Sequence, residues 1–265
     1  ILMPRDWFGE MFSYVRKKKM IPLCAIHRVE DLIFLKKFGL SAIKIASIDL
    51  NYFQLHEKLI KFKMPTLIST GMGTIKEISN IVKFYKKNNH NKIILLHCNS
   101  VYPPDYKNVN LRNIKFFNNK YKLISGYSDH TSDNYTAYAS VVMGAKVVEK
   151  HITLNKKYKG PDHPFAIEPS EMISLIDGIK KINLSLGSYE RKLSSIEYGN
   201  RKMIRRSIVA KRNIEKNSII QENDIKFARP GIGIPTYFAN KVIGKKAIRS
   251  ISAESLINFS MIKKK

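Results

Sequence analysis

Cysteine is scarce in this chain: among 265 residues only Cys24 and Cys98 carry a thiol. Two thiols far apart in sequence offer neither a disulfide framework nor a thiolate zinc site. No run of about 18 apolar residues occurs, so no membrane-spanning helix is expected. The start of the chain also lacks the pattern of a secretory leader. A reducing cytoplasm is therefore the expected compartment, and the first residue, Ile rather than Met, suggests a missing N-terminus. Acidic residues are few as well, 21 against 47 Lys plus Arg, for a formal net charge of +26. Such an excess could serve nucleic-acid or anionic-membrane partners by counterion release. However, the runs Arg16-Lys17-Lys18-Lys19, Lys86-Lys87, Lys245-Lys246 and Lys263-Lys264-Lys265 are scattered over helix ends and loops. No basic and aromatic alternation accompanies them. Neither a specific nucleic-acid partner nor a membrane is expected.

The apolar content, 44%, supports a real core, and the length accommodates a barrel-sized domain plus a small one. Short apolar runs at 21–26, 42–46, 66–69, 93–97, 123–128 and 146–150 alternate with amphipathic stretches at 29–38, 52–62, 74–88, 111–121 and 134–142. Further helices are predicted at 5–18 and 169–186. This βα repetition predicts a parallel sheet of six strands with seven helices. A closed barrel needs eight strands, so a barrel reading leaves two strands and one helix outside this chain. An open doubly wound sheet is the alternative. Polar clusters after nearly every strand favour the barrel. The periodicity dissolves into a polar linker at 187–205, followed at 206–265 by a small β-rich unit with short runs at 207–210, 218–220 and 242–248. That unit contains an internal echo, Ile214-Glu215-Lys216-Asn217-Ser218-Ile219-Ile220 against Ile251-Ser252-Ala253-Glu254-Ser255-Leu256-Ile257.

Chemistry concentrates at the strand ends. In Gly126-Tyr127-Ser128-Asp129-His130-Thr131 and Val147-Val148-Glu149-Lys150-His151-Ile152-Thr153, alternation puts Ser128 with His130, and Glu149 with His151, on one face each. Two imidazoles on neighbouring strands could share one metal ion. Lys44 lies inside the apolar strand Ile43-Lys44-Ile45-Ala46-Ser47, where it needs an anion or loses its charge. Ser69-Thr70-Gly71-Met72-Gly73 and His97-Cys98-Asn99-Ser100 add groups able to hold phosphate or carboxylate.

Together with Tyr102-Pro103, Gly160-Pro161-Asp162-His163 and Arg229-Pro230-Gly231, these strings occur in an order that resembles the sialic acid synthase (N-acetylneuraminate synthase) family. The resemblance covers essentially the whole chain. It implies an α/β fold: a (β/α)8 TIM-type barrel lacking its first two strands here (1–186), the linker (187–205), and a small SAF (antifreeze-like) domain (206–265). It further implies condensation of phosphoenolpyruvate with an N-acetylmannosamine-type sugar, releasing phosphate. His130 and His151 would ligate a divalent metal, Mn2+ first, with Mg2+ or Co2+ as substitutes. Lys44, Ser47, Ser100 and Ser128 fall where the family binds phosphoenolpyruvate. Tyr102, Asp162 and Asp49 fall where it meets the sugar, and Glu149 could orient a metal-bound water. Lys44, Asp49 and Glu149 are the expected catalytic set. Arg229 falls where the SAF domain of a partner subunit covers the barrel mouth, implying a domain-swapped homodimer. One departure is the string Cys24-Ala25-Ile26-His27, where the family carries Ser-Thr-Pro-Phe. The competing expectation is an inactive or sugar-binding fragment derived from such a synthase.

Overall fold

The computed structural model describes residues 3–263, so Lys264 and Lys265 of the last basic run lie outside the described residues. The chain divides into two compact units, Ile1–Gly187 and Ser188–Lys265.

In the first unit the strands are β1 (Leu23–Ala25), β2 (Ala42–Ile45), β3 (Thr66–Ser69), β4 (Ile93–Cys98), β5 (Ile124–Asp129) and β6 (Val148–Lys150). They interleave with helices α1 (Trp7–Lys17), α2 (Val29–Lys36), α3 (Phe53–Ile60), α4 (Ile75–Lys87), α5 (Tyr106–Val109), α6 (Arg112–Tyr121), α7 (Tyr135–Val142) and α8 (Pro169–Leu186). The one-turn α5 is an addition to the sequence-based expectation. Helix α4 shows how the local signals act: a capping box between Thr74 and Glu77 satisfies its first free amides, and Ile78, Ile81, Val82 and Tyr85 recur at helical spacing and are buried. Strand β4, Ile-Ile-Leu-Leu-His-Cys, is a near-continuous apolar run, as expected of a parallel strand covered on both faces.

All six strands are parallel and their spatial order is their sequence order, β1-β2-β3-β4-β5-β6. A doubly wound sheet would reverse order at a switch point, so this alternative is excluded. The sheet is also strongly curled. Lys44 on β2 and Glu149 on β6 are four strand spacings apart, about 19 Å in a flat sheet, yet their charged ends lie 2.7 Å apart. Only a curled, barrel-type sheet brings them together. Among the described residues there are six such strands, against the eight that close a barrel. The outer face carries the main core, where Ile43, Ile45, Ile68 and Leu95 from the strands meet Leu32, Leu59, Ile81 and Phe117 from the helices. The inner face is left to the site.

The second unit carries α9 (Ser195–Ile204) and an antiparallel pair, β7 (Ser207–Ala210) with β8 (Ile225–Ala228). Helix α9 occupies most of the stretch expected to be polar linker; Ser194 caps it by accepting from the Glu197 amide, and none of its residues is buried. The runs 218–220 and 242–248 form isolated bridges, Ile219 with Lys246 and Ala247 with Ile262, instead of strands. Strand β8 is hidden in the sequence because its lysine and the following Arg229-Pro230 resemble a loop. The internal echo is structural. Ile214 and Ile251 exchange both backbone hydrogen bonds at 2.9 Å, Ile220 and Ile257 are fully buried, and Asn217 and Glu254 both adopt positive φ, 73° and 64°. The two arms bury matching isoleucines behind matching turns. No helix among the described residues is long and apolar enough to cross a membrane.

Candidate active site at the strand ends

At the C-terminal ends of β2 to β6 a pocket of about 530 Å³ is lined by Lys44, Ser47, Ser69, Cys98, Ser100, Tyr102, Ser128, His130, Glu149 and His151, with Ala46, Ile48 and Met72. Strand alternation selects these residues. On β5 Ser128 faces inward while Tyr127 and Asp129 turn to the helices, and just past its end His130 points inward again; on β6 Glu149 faces inward, Lys150 outward, and His151 inward. The same rule removes His97 from the site. It is buried on the outer face, where its Nε2 donates to the Val109 carbonyl at 2.6 Å, while Cys98 and Ser100 line the pocket.

The anion that Lys44 requires is Glu149: Lys44 Nζ lies 2.7 Å from both carboxylate oxygens, and Ser128 Oγ donates to Oε1 at 2.6 Å. Burial by itself would raise the Glu149 carboxyl, but the Lys44 ammonium and the Ser128 hydroxyl outweigh it and hold it below the usual glutamate range. Beside this pair the Gly71 amide donates to Ser47 Oγ at 3.0 Å. A Cβ on Gly71 would stand against Ser100 Oγ and lie 2.7 Å from Ser47 Oγ, so a side chain there would have to displace both hydroxyls. Two hydroxyls here, Ser69 Oγ and Ser100 Oγ, are buried without a hydrogen-bond partner. Burial pushes the Cys98 thiol up, which leaves it protonated near neutral pH and a poor nucleophile.

Opposite the lysine, the rings of His130 and His151 are 5.2 Å apart between centroids, and Phe165 packs edge-on against both. Tyr102 lies 4.2 Å from the His130 ring. His130 Nδ1 is 2.7 Å from the Asn99 carbonyl oxygen. That oxygen can only accept, so Nδ1 carries the proton and Nε2 keeps its lone pair. Burial lowers the His130 pKa, with a smaller contribution from His151. A neutral imidazole with a carbonyl fixing its tautomer is the donor chemistry of a metal-ligating histidine, so the residues fit a cation. Among the described residues no group of three His, Cys, Asp or Glu side chains is gathered to hold one by itself. Asp162 Oδ2 approaches His151 Nδ1 at 3.9 Å, from a side chain that is 62% exposed.

Three predicted site residues are not among those lining the pocket. Asp49 pairs with His27, Oδ2 to Nδ1 2.6 Å. Asp162 flanks His151 from outside the pocket lining, and Arg229 belongs to the second unit, directly after β8. Conversely, Ser69 and Cys98 line the pocket although only their strings, not their individual positions, stand out in the sequence. Lys150 gives no sequence signal of its own either: it forms a buried ion pair with Asp129 on the outer face, 2.7 Å long.

A family model described as NeuB family matches residues 1–191, and a SAF domain model matches residues 205–263. The N,N'-diacetyllegionaminic acid synthase of Campylobacter jejuni is 33% identical over 250 residues, 94% of this chain and 75% of that protein. A pseudaminic acid synthase of the same species is 30% identical over 94% of this chain and 72% of its own length. Among solved structures, the N-acetylneuraminic acid synthetase of Leptospira borgpetersenii, crystallised with citrate, superposes with a TM-score of 0.70 at 29% identity, covering 75% of this chain and 69% of that one.

Proposed function

Because this chain belongs to the NeuB family of nonulosonic acid synthases and carries a SAF domain, we propose that it condenses phosphoenolpyruvate with an N-acetylmannosamine-type sugar and releases phosphate, with a divalent metal bound. One observation carries this reading. The Lys44–Glu149 pair and a row of serine hydroxyls, two of them without partners, share one pocket with the imidazoles of His130 and His151. The first half suits a dense anion, the second a cation.

In this mechanism Lys44, Ser47, Ser69, Ser100 and Ser128 hold the phosphate and carboxylate of phosphoenolpyruvate. Ser69 and Ser100 gain the partners that they lack. His130 and His151 hold the cation, manganese by preference, whose chemistry there is Lewis-acid polarisation of the sugar aldehyde. Carbon 3 of phosphoenolpyruvate attacks the aldehyde carbon of the open-chain sugar, and a proton is taken up at the aldehyde oxygen. Water then adds at carbon 2, and phosphate leaves with the bridging oxygen. Glu149, kept ionised by Lys44, orients that water and accepts its proton. Tyr102, Asp49 and Asp162 contact the sugar, and Arg229 of a partner subunit closes over it in a domain-swapped homodimer. The synthase part is 1–186, joined through 187–205 to the SAF part at 206–265.

The test is phosphate release by this chain from phosphoenolpyruvate with Mn2+ and either N-acetylmannosamine or its diacetamido analogues. Sugar-dependent, metal-dependent release is the expected result. Folded protein that binds Mn2+ and sugar yet releases no phosphate would replace the synthase by a sugar-binding protein.

A further inference from the structure

Behind the two histidines lies a buried polar network to which the proposed chemistry gives no role. Asp129 and Lys150 are register partners at the ends of β5 and β6. Their side chains turn to the outer face and are 0% and 2% exposed. Lys150 Nζ has three hydrogens and three good acceptors: Asp129 Oδ2 at 2.7 Å and the backbone carbonyls of Thr131 and Asp133, both at 2.6 Å. Asp129 in turn accepts from the Thr131 amide at 2.8 Å, and from the hydroxyls of Tyr127, Thr131 and Thr136. The network therefore fixes the backbone on both sides of His130, through Asp129 and Thr131, and the residue immediately before His151.

Isolated buried ion pairs contribute little to stability, because desolvation cancels the Coulomb gain. A fully satisfied one is instead a device for fixing geometry. Here it fixes the two backbone positions that, among the described residues, present imidazoles to the pocket. We propose that the Asp129–Lys150 pair is a positioning clamp that sets the relation of His130 to His151 from the opposite face of the sheet. Its use for metal binding rests on the assignment of these histidines above; its effect on the His130 ring does not.

The test uses the full chain, with Lys150→Met and the charge-neutral double variant Asp129→Asn/Lys150→Met, and Ile81→Val as a control that disturbs the core elsewhere. Two readouts separate the questions: Mn2+ affinity by electron paramagnetic resonance, and the nitrogen-15 NMR signal of the His130 Nδ1–H bonded to Asn99. In either folded clamp variant, Mn2+ affinity should fall by about 10- to 100-fold, as when groups supporting metal ligands are removed. The Nδ1–H signal should shift or broaden, while Ile81→Val changes neither. If the parent chain binds Mn2+, loses it in His130→Ala, and the clamp variants bind as tightly as the parent, the clamp is refuted and the metal site stands. If the parent chain binds no Mn2+, the metal assignment fails, and an unchanged Nδ1–H signal in the clamp variants refutes the clamp independently. Should Lys150→Met fail to fold, the double variant, which leaves no uncompensated charge, decides in its place.

Discussion

Replacing Lys44 by Met removes the cation that keeps Glu149 ionised, and its consequence can be worked out from the site. The Lys44 side chain is 12% exposed and that of Glu149 35%. Loss of one partner from a fully buried pair costs about 3–5 kcal/mol, whereas fully exposed pairs are worth less than about 1 kcal/mol. With Glu149 a third exposed and Ser128 still donating, solvent screening brings the expected loss to about 2 kcal/mol. For a unit of this size that lowers the melting temperature by roughly 4–8 °C. The sign with pH is fixed by the direction of the shift. Glu149 titrates below its ordinary value in the folded parent, so its contribution is present above the unfolded glutamate pKa and fades as pH falls through the lower folded value. The stability gap between parent and Lys44→Met should be full at about pH 7 and shrink below the ordinary glutamate range. Urea unfolding at about pH 7, 5 and 4, repeated with Glu149→Gln and the double variant, measures both the gap and the coupling. A gap that stays constant with pH, or a double variant that equals the sum of the singles, would show that the 2.7 Å contacts carry no energy.

Further outcomes follow from the same geometry. His130→Ala and His151→Ala should each abolish Mn2+-dependent phosphate release and weaken Mn2+ binding, since each removes one of two imidazoles; full activity at unchanged metal concentration would remove these residues from the metal site. Ser69→Ala deletes a buried hydroxyl with no protein partner, so stability should move by less than about 0.5 kcal/mol. The Michaelis constant for phosphoenolpyruvate should nevertheless rise by roughly fivefold, about 1 kcal/mol of lost hydrogen bonding. A large stability loss with unchanged kinetics would give Ser69 a purely structural part. Arg229→Ala should raise the Michaelis constant for the sugar more than that for phosphoenolpyruvate, and equal rises would argue against its proposed contact.

Local pattern makes most of the first unit legible in the amino-acid sequence. Period-2 alternation around Ser128-Asp129-His130 and Glu149-Lys150-His151 assigns inward and outward faces, and helical spacing over 74–88 locates α4. The second unit is less legible. Its segments are tied mainly by single bridges, and β8 interrupts its apolar pattern with Lys226, so no periodicity accumulates. Nor does composition reveal α9, which is capped by Ser194 and buries none of its residues, so no apolar stripe marks it.

What the sequence alone determined were the six strands and the seven longer helices of the first unit, most of the inward-facing residues, and the fact that Lys44 must meet an anion, because these depend on backbone periodicity and on the cost of burying a charge. Tertiary structure decided the rest. The anion is Glu149, 105 residues away, and only the curl of a sheet wound in one direction brings β2 and β6 within reach. Likewise Lys150 and Asp129 find each other through strand register, a pairing set by how the sheet closes and not by the spacing of residues along the chain.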